Sequence, residues 1–223
     1  MAQWPNGLAL ILDLDGVIVD SAPVHRACWR EYLRRCGVKF SEARAQKMFG
    51  RRNDQILPEF FGPHLTPQEI ARHGAAKELL YRQMMKPQLK ERLVPGVAEF
   101  VEKHRHAPLA VASNAEAQNV ELVLETAGLR GYFRVVLDGN QVQRPKPDPE
   151  IYLLAARLLH AAPGNCIVFE DSLSGVEAAR AAGARVVGVE TTHAGLPDID
   201  LSIRDFVQPE LEAWLERQEP SVV

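Results

Sequence analysis

Short, unbroken apolar runs that stop abruptly at a polar or acidic residue recur along this chain and restrict what it can fold into. Leu8–Leu12 runs into Asp13, Leu109–Ala112 into Ser113, and Cys166–Phe169 into Glu170; Val135–Leu137 and Val186–Val189 have the same character. Apolar runs this short, without polar alternation, predict strands buried on both faces. Helical patterns separate them over roughly 96–104, 116–127, 148–160 and 173–182, with Gly128 and Gly183 placed where two of these should end. The alternation predicts an α/β fold with a doubly wound parallel-sheet core, helices on both faces, and a ligand site beyond the carboxyl ends of the strands.

One connection breaks the rhythm. Between the first strand and the helix near 96, only helical signals occur. Trp29, Leu33 and Cys36 keep one face of a helix that Arg34, Arg35 and Gly37 should close. Thr66-Pro67-Gln68-Glu69 combines a capping box with proline at the first helical position, and the pattern continues to Met85. The expected organisation is a catalytic core of residues 1–20 and 93–223, interrupted by an all-helical insertion over 21–92 lying on the sheet's carboxyl edge. No internal repeat or low-complexity segment is evident.

A net charge of −3 over 223 residues gives no footprint for nucleic acid or an anionic membrane, so an anionic ligand must be held by a local cluster of cations. Cys28, Cys36 and Cys166 have neither CxxC nor zinc-ligand spacing and are expected to be reduced packing residues. No apolar run approaches the ~18 residues of a membrane span, and the run before Asp13 does not read as a signal peptide. A cytoplasmic monomer is expected.

The chemistry concentrates at the strand ends. Asp13-Leu14-Asp15-Gly16-Val17 follows the first strand directly; in extended chain Asp13 and Asp15 point the same way, and two such carboxylates repel unless a cation or a proton intervenes. Glu170-Asp171-Ser172 follows another strand, and acidic groups at two strand ends could hold a hard divalent cation such as Mg2+. Ser113 could donate to a phosphate oxygen. Lys146 sits in Arg144-Pro145-Lys146-Pro147-Asp148-Pro149, stiffened by three prolines. Each has a bland reading: an Asp-rich turn, a helix cap at Asp171 or Ser172, a solvated lysine. Together they offer a nucleophilic carboxylate, an acid/base carboxylate, a metal site and two phosphate-neutralising donors, which is the inventory of phosphoryl transfer.

These four segments, in this order, resemble the haloacid dehalogenase superfamily of phosphatases and phosphomutases, with its Rossmann-like core. The resemblance spans nearly the whole chain. It implies Asp13 as nucleophile and Asp15 as general acid, then base, with Ser113 and Lys146 completing the catalytic set. It implies magnesium held by Asp13, the main-chain carbonyl of Asp15, and Asp171, with Glu170 joining them or lying just behind. The helical insertion then corresponds to a mobile cap that excludes water and reads the substrate. Within the superfamily, Asp13 to Trp29 is similar to the beta-phosphoglucomutase-like group: His25 and Trp29 fall at the spacing of a hinge-side histidine and a tryptophan there, and Lys77 matches a phosphate-binding lysine. Where the mutase carries an arginine three residues after the glycine matching Gly50, this chain has Asn53, with Arg51 and Arg52 displaced. Asn114-Ala115 after Ser113 is a form common among phosphatases. His25, Arg51, Arg52, Lys77 and Asn114 are therefore the expected substrate-binding residues.

The leading expectation is a magnesium-dependent phosphatase acting on small phosphorylated metabolites, sugar phosphates or similar, through an aspartyl-phosphate. The alternative is a beta-phosphoglucomutase interconverting beta-glucose 1-phosphate and glucose 6-phosphate. A phospho-accepting signalling domain would carry its aspartate on a later strand and lack the large insertion. A dinucleotide enzyme would need a GxGxxG after the first strand, which is missing.

Overall fold

A computed structural model describes residues 7–42 and 51–220. Six parallel strands form one sheet: β1 Ala9–Leu12, β2 Leu109–Ala112, β3 Val135–Leu137, β4 Cys166–Glu170, β5 Arg185–Val189 and β6 Leu201–Ile203, in the order β3-β2-β1-β4-β5-β6. The five strands expected from the sequence are present. β6 was not anticipated: its three residues, Leu-Ser-Ile, lie at the sheet edge with Ser202 exposed, so no continuous apolar run marks it. β1 is central, and the direction of winding reverses between it and β4. Parallel α/β sheets open a crevice at such a reversal.

Eight helices are described. α1 Ala22–Arg35, α2 Asn53–Phe61 and α3 Pro67–Met85 fall between β1 and β2; α4 Val97–Lys103, α5 Ala117–Ala127, α6 Glu150–Leu158, α7 Leu173–Ala181 and α8 Pro209–Leu215 cover the sheet. Gly128 and Gly183 stand just past α5 and α7 in the left-handed region, at φ 70° and 84°, as helix-ending glycines do. The apolar strands are packed from both sides. Leu10, Leu12, Phe169 and Val187 face a cluster with Phe100, Val123, Phe206 and Leu211. Ile11, Ala110, Val168 and Val186 face another with Ile151, Tyr152, Val176 and Ala179.

Every regular element described between residues 21 and 92 is helical. α3 begins with the capping box expected at Thr66: the Glu69 amide donates to Thr66 Oγ1 at 3.3 Å, and Thr66 N donates to Glu69 Oε2 at 2.9 Å. α2 was not singled out in the sequence because Pro58 sits inside it and the helix is only nine residues long. In α1, Val24, Cys28, Trp29, Tyr32 and Leu33 form the buried face. Cys36 departs from expectation: it falls at the end of α1, beyond the buried stripe, and is exposed, whereas Cys28 and Cys166 are buried. Gly50 lies outside the described residues.

The chain leaves and re-enters the core through two adjacent crossings. Asp20 N donates to Arg92 O at 2.8 Å and Val94 N to Ile18 O at 3.0 Å, with a bridge between Val19 and Leu93. No helix among the described residues is long and apolar enough to cross a membrane.

Phe169 is fully buried and meets Phe100 at 5.3 Å and Phe206 at 5.5 Å between ring centroids. Phe169→Ala is expected to cost about 3–5 kcal/mol of unfolding free energy, as truncated core aromatics do. Urea titration checks this; a loss under about 1 kcal/mol would mean that the cluster is not a load on the sheet.

Candidate active site

Lys146 organises the crevice. It arrives on the loop between β3 and α6, and its ammonium spends all three hydrogens: on Asp13 Oδ1 at 2.7 Å, Glu170 Oε1 at 2.6 Å and the main-chain oxygen of Ala112 at 2.9 Å. Those acceptors sit at the ends of β1, β4 and β2, so one buried cation ties three strand ends together. It also lies 4.7 Å from the centre of the Tyr152 ring. The lysine that would by default be solvated is thus only 2% exposed.

Asp13, Glu170 and Asp171 are all buried, and a carboxylate oxygen from each lies within 4.8 Å of the others. Three carboxylates against one ammonium leave two negative charges in a low-dielectric place. The consequence is visible in their proton affinities. Burial pushes the Asp13 carboxyl up to about 7 despite the lowering pull of Lys146, with Glu170 and Asp15 adding to the rise. Asp171 is driven well above the carboxylate range by burial and by Glu170 and Asp13. An all-oxygen cluster short of two positive charges fits a hard divalent cation. Gly16, at φ 77°, is what lets the carboxylate in: a Cβ there would stand 1.8 Å from Asp171 Oδ2.

Glu170 is saturated by the protein. Oε1 accepts from Lys146 and from the Tyr152 hydroxyl at 2.6 Å; Oε2 accepts from Asp171 N, Ser172 N and Ser172 Oγ at 3.0, 3.2 and 3.0 Å. Ser172 is also the cap of α7, its hydroxyl accepting from Gly175 N at 3.1 Å, so the capping and site readings of this segment hold together.

Ser113 is buried just past β2, its hydroxyl accepting from Ala115 N at 3.1 Å; Asn114 Oδ1 accepts from Lys146 N at 3.2 Å. Asp15 is half-buried, and its Oδ1 stands 3.6 Å from His25 Nε2. Burial would raise the Asp15 carboxyl, but His25 and Ser21 outweigh it and hold it below its ordinary value.

On the insertion side, Lys77 Nζ lies 3.0 Å from His25 Nδ1 and 2.8 Å from Glu78 Oε1, and His25 stacks on Tyr81 with 3.9 Å between ring centroids. Because an ammonium only donates, His25 must accept at Nδ1, which leaves its Nε2–H directed at Asp15. Arg52 reaches across to the core, donating to Gly139 O at 2.9 Å; Arg51 pairs with Glu59 at 2.6 Å. Asp13, Asp15, Ser113, Asn114, Lys146, Glu170 and Asp171 from the core, and His25, Arg51, Arg52 and Lys77 from the insertion, line a single cavity of about 480 Å³. The four strand-end segments and the insertion residues singled out in the sequence therefore meet. Sequence reasoning did not find Glu78, Asn119 or Tyr152. They are a helix-surface acid, a helix-surface amide and a core aromatic, and nothing local marks them.

Residues 8–183 match the haloacid dehalogenase-like hydrolases, and the chain belongs to that family. It is 34% identical over 183 residues to a fructose-1-phosphate phosphatase of Escherichia coli, covering 81% of this chain and 95% of that protein. It is 28% identical over 189 residues to a beta-phosphoglucomutase of Bacillus subtilis, covering 81% and 82%. The solved beta-phosphoglucomutase of Clostridium difficile has the same fold, with a TM-score of 0.82 over 93% of this chain and 95% of that one at 24% identity.

Glu78 is buried, yet Lys77, His25 and Asn53 more than offset that burial and hold its carboxyl down at about 2. On acidification the unfolded chain therefore takes up this proton first. The stability Glu78 contributes is complete above about pH 4.5 and disappears as pH falls toward 2. The difference in urea midpoint between the wild type and Glu78→Gln should accordingly be largest near pH 6 and shrink by pH 3. A gap that stays constant or widens contradicts this.

Proposed function

We propose that this chain is a magnesium-dependent phosphatase that hydrolyses small phosphorylated metabolites, sugar phosphates foremost, through an aspartyl-phosphate on Asp13. The observation that carries the reading is the Lys146 bridge: a fixed cation holding a buried carboxylate at the end of the central strand, beside a donor-lined cavity. Asp13 attacks the phosphorus with the oxygen that Lys146 does not hold, in line with the departing alkoxide. Lys146, Ser113 and Asn114 neutralise or bond the phosphoryl oxygens. Asp15 gives the alkoxide its proton and then takes one from the water that cleaves the acyl phosphate. His25 and Ser21 hold Asp15 as a carboxylate; the negative charge of an arriving phosphate raises its proton affinity toward the acid role.

A magnesium ion held by Asp13, Asp171 and the main-chain carbonyl of Asp15 would supply positive charge against the transferring group. Glu170 is placed behind it, since its lone pairs are taken by protein donors, and its task is to fix Lys146. Residues 21–92 act as a cap that closes on the core residues 1–20 and 93–223, with His25 and Lys77 orienting Asp15. Arg51 and Arg52 face the substrate's remainder. A monomer in the cytoplasm fits this reading. The relationship to a beta-phosphoglucomutase supports interconversion of beta-glucose 1-phosphate and glucose 6-phosphate as a second reading. Asn53 and its bond to Glu78 favour hydrolysis.

A panel of phosphorylated metabolites assayed for phosphate release tests the proposal. Release should require magnesium and stop on chelation. Asp13→Asn should leave less than about a hundredth of the wild-type rate, since a nucleophile is worth far more than that factor. Turnover above that level, or activity indifferent to chelation, contradicts the assignment.

A further inference from the structure

One wall of the cavity is used by none of these steps. It is made by Asn53 and Asp54 at the start of α2, Glu78 on α3, and Glu116 and Asn119 where α5 begins, all lining the same cavity as Asp13 and Lys146. At its centre Glu78 is only 4% exposed. Its Oε1 accepts from Asn53 Nδ2 at 2.7 Å and Lys77 Nζ at 2.8 Å, and its Oε2 from Asn119 Nδ2 at 2.7 Å. Arg82 Nη1 donates to Asn119 Oδ1 at 2.9 Å. A guanidinium can only donate and a carboxylate only accept, so the Asn119 amide has one orientation and joins core to insertion through two fixed bonds.

The cations on this side already have partners. Lys77 is held by Glu78 and His25; Arg82 by Asn119, with Glu116 at 3.9 Å; Arg52 by Gly139 O, with Asp54 at 3.5 Å; Arg51 by Glu59. The strand ends differ in having side-chain donors that can turn to a phosphoryl group, Ser113 Oγ and Asn114 Nδ2, beside the positive charge of Lys146, whose own hydrogens go to Asp13, Glu170 and Ala112 O. A second phosphate, placed against the Glu78 wall, would meet a fixed carboxylate whose neighbouring cations already have acidic or carbonyl partners. It would lose its hydration without compensation. Sugar hydroxyls meet no such penalty, because they donate to carboxylate oxygens and accept from amide N–H groups.

We infer that Glu78, fixed by Asn53 and Asn119, is the specificity-determining residue that admits substrates with one phosphoryl group and a hydroxyl-rich remainder and rejects sugar bisphosphates. This rests on the reading of the site as a phosphomonoesterase and adds the substrate class to it. It also bears on mutase chemistry. When a phosphorylated enzyme first adds its group to the second hydroxyl of a sugar monophosphate, the second ester bond forms before the first is broken, and the intermediate is a bisphosphate. A wall that repels the second phosphate disfavours that intermediate.

The test compares fructose 1-phosphate with fructose 1,6-bisphosphate by kcat/KM for phosphate release, in the wild type, Glu78→Gln and Asn53→Lys. Asn53→Lys sets a new cation against Glu78 and keeps the inference testable should Glu78→Gln fold poorly. The wild type should prefer the monophosphate by about 100-fold or more, as an uncompensated like charge at a pocket wall implies. Each variant should reduce that ratio at least tenfold, chiefly by lowering KM for the bisphosphate. A wild-type ratio below about ten, or a ratio unmoved in folded variants, overturns the inference and leaves the phosphatase reading standing. Absence of phosphate release from both esters and from the wider panel overturns both.

Discussion

The site depends on one buried ammonium. Lys146 is the only positive charge on the described residues that touches Asp13 and Glu170, and its third hydrogen bonds the carbonyl end of β2. A buried carboxylate costs several kcal/mol unless it is paired and hydrogen-bonded. The position of Lys146 therefore decides whether β1 and β4 can end in acid at all. The proline-flanked loop that delivers it supplies the stiffness, and Tyr152 and Ser172 complete the hydrogen bonding of Glu170. Even so, two negative charges remain without a partner cation. That residual imbalance is the physical reason a hard divalent cation fits there, and only with such a cation in place would the negative charge of a phosphoryl group be tolerated beside Asp13.

From this pivot the rest of the architecture follows as support. The reversal of winding between β1 and β4 opens the crevice, and Gly16 lets the Asp171 carboxylate approach the chain after Asp15. The insertion reaches the same crevice from above. It is joined to the core near Asp20 and Arg92 by backbone bonds, and on the opposite approach by Glu78–Asn119 and Arg52–Gly139 O. The first contacts run along the chain's own crossings; the second are side-chain bonds between polar groups, which can open and re-form at much lower cost.

Much of this was legible in the sequence for a physical reason. A strand buried on both faces must be apolar throughout, so β1, β2 and β4 announce themselves, and a polar residue directly after such a run must lie at the sheet's rim. Asp13, Ser113 and Glu170 were found that way, and Lys146 by the prolines that hold it. β6 escaped because an edge strand needs no continuous apolar run, and α2 because Pro58 interrupts its pattern. Cys36 was misplaced on the buried face because the helix ends one residue before it. The Glu78 wall was invisible for a different reason. Its partners are 25 and 41 residues away, and each is a residue type that ordinarily faces solvent.

On the proposed mechanism the strand ends hold a phosphoryl group on Asp13 beside a divalent cation. Crystals grown with magnesium and beryllium fluoride, which mimics an acyl phosphate, test it most directly. Trifluoroberyllate should be bonded to the Asp13 carboxylate with Ser113 and Asn114 against its fluorines and the Lys146 ammonium beside it, and magnesium should be held by Asp13 and Asp171. An adduct on any other carboxylate, or a cation bound away from Asp171, would contradict it.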